Sequence, residues 1–228
     1  MRVESLGYRT DLIFPAFDGE IVDRGDHLIV RTPANPTFYW GNFLLFHEPP
    51  REGDLQRWRE LFTQEVGGPP TIIHQAFGWD SLKGDQGHVT PFLDAGFRLE
   101  RGVVLAAESL LPPVRHAEAI EIRALVNEAD WTQAFENQVA CRDEEFEETE
   151  YRSFWRRQVG RYRKMAESGL GDWYGAFMGE RLVADLGIFT DGVLGRFQAV
   201  GTHPDFRRRG IARSLVSEAG RLAMARHG

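Results

Sequence analysis

The segment Thr202-His203-Pro204-Asp205-Phe206-Arg207-Arg208-Arg209-Gly210-Ile211-Ala212 leads from an apolar strand pattern into a helical one, and it places three consecutive arginines ahead of two small residues. The first backbone N–H groups of a helix have no partner within it, and the helix dipole adds partial positive charge there, so such a junction favours an anion. Gly210 and Ala212 let a bulky pyrophosphate come close to the backbone, while Arg207, Arg208 and Arg209 can add charge-assisted contacts. Three arginines alone read as a solvated basic turn. Set at a strand-to-helix junction, they predict a phosphate-bearing ligand. Nucleic acid is not the expected source of that phosphate, because the chain carries a net charge of −7 and no basic strip interleaved with aromatics.

Other residues with chemical capacity are less specific. His203 carries an imidazole of the kind that serves as a general base, but the proline after it reads as a strand exit, a structural position. Gln198 cannot accept a proton, so a base working through water has to come from elsewhere, with Glu148, Glu150 and Asp185 as candidate carboxylates. Each of these three reads first as an ordinary surface or hairpin carboxylate. Tyr151, Phe154, Trp155 and Tyr162 lie near one helix and serve equally well as core or as pocket lining. Cys141, the single cysteine, reads as a small buried hydrophobe. The seven histidines show no metal-ligand spacing and the cysteine has no companion, so no metal site is expected.

The elements that must position these residues fall into two halves. Leu110-Leu111-Pro112-Pro113 is the clearest break, and a boundary is expected near residues 110–117. In the second half the order reads strand, helix, helix, three antiparallel strands, helix. A strand is expected at Ile120 to Leu125, then a helix capped by Asp130 with Trp131, Ala134, Phe135 and Val139 inward. The acidic run from Asp143 to Glu148 reads as a solvated loop or helix edge, followed by a helix from about Glu150 to Ser168 that stops at Gly169. Trp173 to Met178 and Arg181 to Phe189 flank Gly179-Glu180 as a hairpin. A third strand runs from Gly195 to His203, and helical spacing begins near Gly210. In the first half, strands are expected at Leu12-Ile13-Phe14, His27 to Val30, Phe43 to Phe46, Thr71-Ile72-Ile73 and about Arg98 to Ala106. Helices are expected from Asp54 to Glu65 and near Val89 to Ala95. The fold class is therefore α+β, in three layers, with a mixed but largely antiparallel sheet flanked by helices.

The segment from Arg207 to Ala212 resembles the coenzyme A loop of the GNAT N-acetyltransferases, Gln/Arg-x-x-Gly-x-Gly/Ala, with Arg207, Gly210 and Ala212 in the three signature positions. The lead-in from Val200 to Phe206 and the element order from residue 119 onward are also similar to that family. The resemblance implies acetyl-CoA as cosubstrate, its pantetheine arm along Val200, Gly201 and Thr202, and its pyrophosphate on Arg207, Arg208, Arg209, Gly210, Ile211 and Ala212. It implies transfer of an acetyl group to a primary amine on a small molecule or peptide; the alternative is a non-catalytic module that binds coenzyme A or a partner chain. No catalytic residue is assigned. Val89 to Arg98 resembles the family's late helix ending in Gly-Phe, but Pro49-Pro50-Arg51-Glu52-Gly53-Asp54 stands where the loop signature would be. The resemblance thus implies a tandem: residues 1–111 a degenerate unit and 117–228 a coenzyme-binding one. The family's fifth strand, fourth helix and acid tyrosine would follow where the chain ends at Gly228. A shortened chain, complementation by the first half or a neighbouring chain, and a non-catalytic remnant are the three readings of that ending.

Composition sets the outer limits. With 228 residues, 42% hydrophobic and 27% charged, the chain has an ordinary globular make-up, and six Trp and sixteen Phe argue against disorder. No apolar run reaches the roughly 18 residues of a membrane span, and residues 1–8 lack a signal-peptide core. A lone cysteine fits a reducing cytoplasm. A membrane is not an expected partner, and a homodimer is left open.

Overall fold

A computed structural model describes residues 1–112 and 119–227, which divide into two compact units, Met1–Ala106 and Ala107–Gly228. The part of the expected boundary at 113–117 lies outside the described residues. Leu110 and Leu111 pack within the second unit: a Cβ on Gly220 would strike the Leu110 side chain, and Ser217 Oγ donates to the Leu111 carbonyl at 3.2 Å.

The first unit holds α1 (Leu6–Asp11), α2 (Ile13–Asp18), β1 (Glu20–Asp23), β2 (His27–Arg31), β3 (Phe43–Phe46), α3 (Asp54–Glu65), β4 (Phe77–Trp79) and α4 (Thr90–Asp94). Its sheet runs β1-β2-β3-β4, antiparallel except for the parallel pair β3 and β4, which α3 connects. Leu28 to Val30 and all of β3 are buried, so these runs are continuously apolar rather than alternating. Trp58 of α3 stacks on Phe46 with ring centroids 3.8 Å apart, and Phe62 and Phe92 complete that side of the core.

Three expected strands of this unit are not strands. Ile13 and Phe14 are buried on α2, where Pro15 sits in the first turn and gives up no helical donor. A three-residue apolar run does not separate a strand from a buried helical turn. At Thr71-Ile72-Ile73 only Ile72 turns inward, Ile73 is exposed, and the fourth strand forms at Phe77–Trp79 instead. Between Arg98 and Ala106 no element forms, and Val103 and Leu105 are exposed with no strand beside them. Sequence reading missed β1, whose residues are mostly exposed and carry no apolar alternation.

The second unit holds β5 (Glu121–Ala124), α5 (Glu128–Ala140), α6 (Glu148–Glu167), β6 (Gly171–Met178), β7 (Arg181–Thr190), β8 (Gly195–Thr202), a 3-10 turn at Pro204–Phe206 and α7 (Ile211–His227). The sheet is antiparallel in the order β5-β6-β7-β8. One face packs on α7 through Tyr174, Leu186, Ile188, Ile211, Leu215 and Ala219. The other packs on α5 and α6 through aromatic rings, with Tyr162 4.9 Å from Trp173 and 5.4 Å from Phe189. Trp173 and Tyr174 are neighbours in sequence and face opposite layers, as the pleat requires.

The expected cap at Asp130 is corrected. Asn127 caps α5 by accepting from the Asp130 N–H at 2.9 Å, and the Asp130 carboxylate takes two hydrogen bonds from Arg123, at 2.7 and 2.8 Å. Asn is as good a cap as Asp, and the true cap lies three residues upstream. Helix α6 ends as expected: Gly169 takes φ +75° while Leu170 N–H donates to the Met165 carbonyl and Gly169 N–H to Ala166, a Schellman closure. Leu186 lies fully buried in the layer between sheet and α7. Replacing Leu186 by Ala should lower stability by about 2–5 kcal/mol in urea unfolding, and a near-neutral result would show that this layer does not hold the unit together.

Candidate functional site

Strand β8 lies at an edge of its sheet, and it is bulged. Asp185 pairs with Gly201 and Gly187 with Gln198, so the single residue Leu186 faces both Ala199 and Val200. Ala199 adopts φ +49°, a conformation an L-residue takes only under constraint. The extra residue alters which side chains share a face. Gln198 and Gly201 are three apart and would lie on opposite faces of a regular strand; the bulge turns both toward the α5–α6 layer. Gln198 Nε2 donates to Tyr162 Oη on α6 at 3.0 Å. A Cβ on Gly201 would lie 2.9 Å from Gln138 Nε2 and 3.4 Å from Cys141 Sγ, so α5 comes too close there for a side chain.

Beneath the bulge lies a buried polar cluster. Asp185 is fully buried on β7 and accepts from Asn137 Nδ2 at 2.6 Å, Gln138 Nε2 at 2.9 Å and Trp173 Nε1 at 2.8 Å. Burial pushes its pKa up to about 7 against the three N–H donors, which favour the charged form. Gln138 Nε2 also donates to the Ala199 carbonyl at 2.7 Å. Cys141, the C-cap of α5, has its thiol pKa raised by burial and by the nearby Asp185 charge, while a hydrogen bond from Arg207 opposes the shift. The Tyr151 hydroxyl is likewise raised, by burial first and then by Cys141.

Past β8 the chain is tied down locally. His203 Nδ1 accepts from the Asp205 N–H at 3.3 Å and so caps the 3-10 turn, the structural position its proline indicated. Arg207 Nε donates to the Thr202 carbonyl at 3.2 Å, and Arg209 donates to the Asp205 carbonyl at 3.1 Å while lying over the Phe206 ring. Arg208 is exposed at φ +65°, and Gly210 takes φ +78° with open space where a side chain would begin. The Gly210 carbonyl accepts from Ser214 N–H at 3.1 Å, the first intrahelical bond of α7. The N–H groups of Ile211, Ala212 and Arg213 precede it and have no acceptor in the helix. No acidic residue stands in that first turn. Ile211 is buried and anchors the helix, while Ala212 is exposed. The three N–H groups, the exposed Arg208 and the open space at Gly210 suit a phosphate group.

The structure separates the candidate carboxylates. Glu148 bridges Arg142 and Arg152, each at 3.0 Å, and Glu150 lies exposed in the first turn of α6. Asp185 is neither a surface nor an ordinary hairpin carboxylate. Sequence reading did not assemble Asn137, Gln138 and Asp185; the available signal was a carboxylate set between Ala184 and Leu186 in an otherwise apolar strand. Of the aromatic candidates, Trp155 and Tyr162 are core, while Tyr151 and Phe154 are half-buried.

Among the solved structures that resemble the chain, two do so along most of its length. One is a conserved protein of unknown function from Staphylococcus epidermidis, at 13% identity and TM-score 0.64, covering 91% of this chain and 81% of that one. The other is a GCN5-related N-acetyltransferase from Kribbella flavida, at 14% identity and TM-score 0.61, covering 98% of this chain and 83% of that one. This is the GNAT fold. No family model and no curated protein matches the sequence, so the likeness resides in the backbone. In this GNAT-fold chain no described helix is long and apolar enough to cross a membrane. The described residues contain no group of three or more His, Cys, Asp or Glu able to hold a metal.

The buried carboxylate has a measurable consequence. Asp185 holds its proton more tightly in the folded state, up to about pH 7, than in an unfolded chain, where an Asp titrates near pH ~4. The stability it contributes is therefore full below that lower value and is lost as pH rises toward 7. Urea unfolding from pH 4.5 to 8 should show the wild type losing stability relative to Asp185→Asn across that window. Parallel curves would mean that the group does not titrate there.

Proposed function

We propose that this protein binds acetyl-CoA at the β8–α7 junction and transfers the acetyl group to a primary amine by direct attack. The observation that carries this reading is the adjacency of two features on consecutive elements: an exposed, bulged strand edge and a helix start with free N–H groups beside Arg208. A phosphate-bearing ligand with an amide-containing arm satisfies both, its anionic end at Arg207, Arg208, Arg209, Gly210, Ile211 and Ala212, its arm along Val200, Gly201 and Thr202. Arg208 would meet the pyrophosphate directly. Arg207 and Arg209, which brace the loop through Thr202 and Asp205, would act mainly by charge and by shaping it.

The thioester supplies an activated acetyl carbon. The substrate amine forms the C–N bond as the C–S bond breaks, the sulfur leaves as thiolate, and the amine's proton passes to a base. The acceptor amine, on a small molecule or a peptide, is the remaining variable. The first unit is proposed as a degenerate partner of the second, a tandem of related halves. The free thiol of Cys141 supports a reducing cytoplasm as its setting.

Isothermal titration with acetyl-CoA tests the ligand, and thiol release against a panel of primary amines tests the reaction. Gly210→Val should weaken binding about tenfold or more, roughly 1.4 kcal/mol, because a β-branched residue cannot hold φ +78° without strain and fills the open space there. Unchanged affinity in a folded Gly210→Val protein would overturn the loop assignment, and binding without thiol release for any amine would favour a non-catalytic coenzyme-binding module.

A further inference from the structure

We infer that Gln138 and Asp185 are positioning residues: the Asp185 carboxylate orients the Gln138 amide, and that amide holds the Ala199 carbonyl and with it the bulge of β8. The inference rests on the coenzyme reading above and adds the device that shapes the strand the acyl arm would follow. A bulge withdraws backbone groups from the ladder, and each buried one needs another partner. The two hydrogens of Gln138 Nε2 are both in use, one on Asp185 Oδ1 at 2.9 Å and one on the Ala199 carbonyl at 2.7 Å. Only an amide held by a fixed acceptor at one hydrogen presents the other in a fixed direction. Asp185 is fixed in turn by Asn137 at 2.6 Å and by Trp173 at 2.8 Å. Without the Gln138 hydrogen bond Ala199 could leave φ +49° for ordinary strand geometry. A one-residue slip would then reverse the faces of the residues beyond the bulge.

The clamp should respond to pH. An ionised Asp185 accepts from all three donors. A protonated one carries a hydrogen on one oxygen that displaces a donor there, Trp173 from Oδ2 or the two amides from Oδ1, and the set of bonds that fixes the Gln138 amide weakens. The titratable groups facing Asp185 are Cys141 at the end of α5, itself hydrogen-bonded by Arg207, and Tyr151 on α6, beside the Trp173 donor on β6; α7 lies on the opposite face of the sheet. Burial places the titration near neutrality, so the bulge should be best held above pH 7.

The test uses the full chain, the wild type and three variants: Gln138→Met, which keeps length but cannot donate; Asp185→Asn; and Asn137→Leu, which removes a donor to Asp185 but leaves the Gln138–Ala199 bond. Amide hydrogen exchange along β8 without ligand, and acetyl-CoA affinity from pH 5.5 to 8.5, are the readouts. Gln138→Met should speed exchange around Ala199 to Gly201 and weaken acetyl-CoA binding, by about tenfold each. Asn137→Leu should lower the melting temperature while leaving β8 exchange close to wild type. Wild-type affinity should rise several-fold through neutral pH, and Asp185→Asn should flatten that rise. Equal β8 exchange in Gln138→Met and Asn137→Leu, or a pH profile unchanged by Asp185→Asn, would overturn the clamp. Failure of the wild type to bind acetyl-CoA at any pH would instead overturn the proposed function, and the coenzyme half of this inference with it.

Discussion

A single fully buried carboxylate, Asp185, organises the face of the sheet on which the candidate site depends. An isolated charge in an apolar layer is prohibitive, so its burial is tolerable only with donors around it. Three arrive from two elements: Asn137 and Gln138 from the last turn of α5 and Trp173 from β6. Their convergence fixes how closely α5 approaches the sheet, and that closeness is why position 201 is glycine. The same convergence supplies the hydrogen bond that a bulged Ala199 carbonyl needs. Packing alone would hold the two layers together, but it would not say which residue of β8 is extruded.

The loop after β8 uses its charge in two ways. Arg207 and Arg209 bond to carbonyls within the turn, and Arg181 and Arg209 both lie over Phe206. These contacts give a tight turn of polar residues a defined shape. Arg208 sits at φ +65°, away from those contacts and exposed. The strain of a left-handed arginine, about 1 kcal/mol, is offset by the neighbours that fix the turn. A row of three identical side chains thus divides into two braces and one free cation, a division that no spacing rule would reveal.

What could be read from sequence follows the same physics. The second unit was legible because its elements are long and its punctuation strong: Gly169 ends α6, Gly179-Glu180 turns the hairpin, and Gly210 opens α7, each a backbone conformation glycine favours or a turn that tolerates little else. The candidate loop residues from Arg207 to Ala212 share one short stretch and were visible as a motif. The clamp was not, because Asn137 and Gln138 lie almost fifty positions before Asp185 and none has a spacing signature. In the first unit, β3 and α3 were legible from continuous and periodic apolar runs. Short runs such as Leu12-Ile13-Phe14 were not, because three residues fit either period and their context decided them.

The two units also differ in how a helix start is closed. In the first unit, α3 begins after Gly53 at φ +85°, as α7 begins after Gly210 at φ +78°. Both glycines allow the same sharp entry. At α3, however, the first helical residue is Asp54, whose carboxylate is largely buried, accepts from the Arg51 N–H at 2.7 Å and pairs with Arg57 at 2.9 Å. That helix carries its own anion, which satisfies the local dipole and repels a phosphate. At α7 the first turn reads Ile211, Ala212 and Arg213, with no carboxylate to fill the role. The difference between a closed and an open helix start is therefore one side chain. Glycine supplies the geometry in both units, and of these two helices α7 is the one without an internal counter-anion in its first turn.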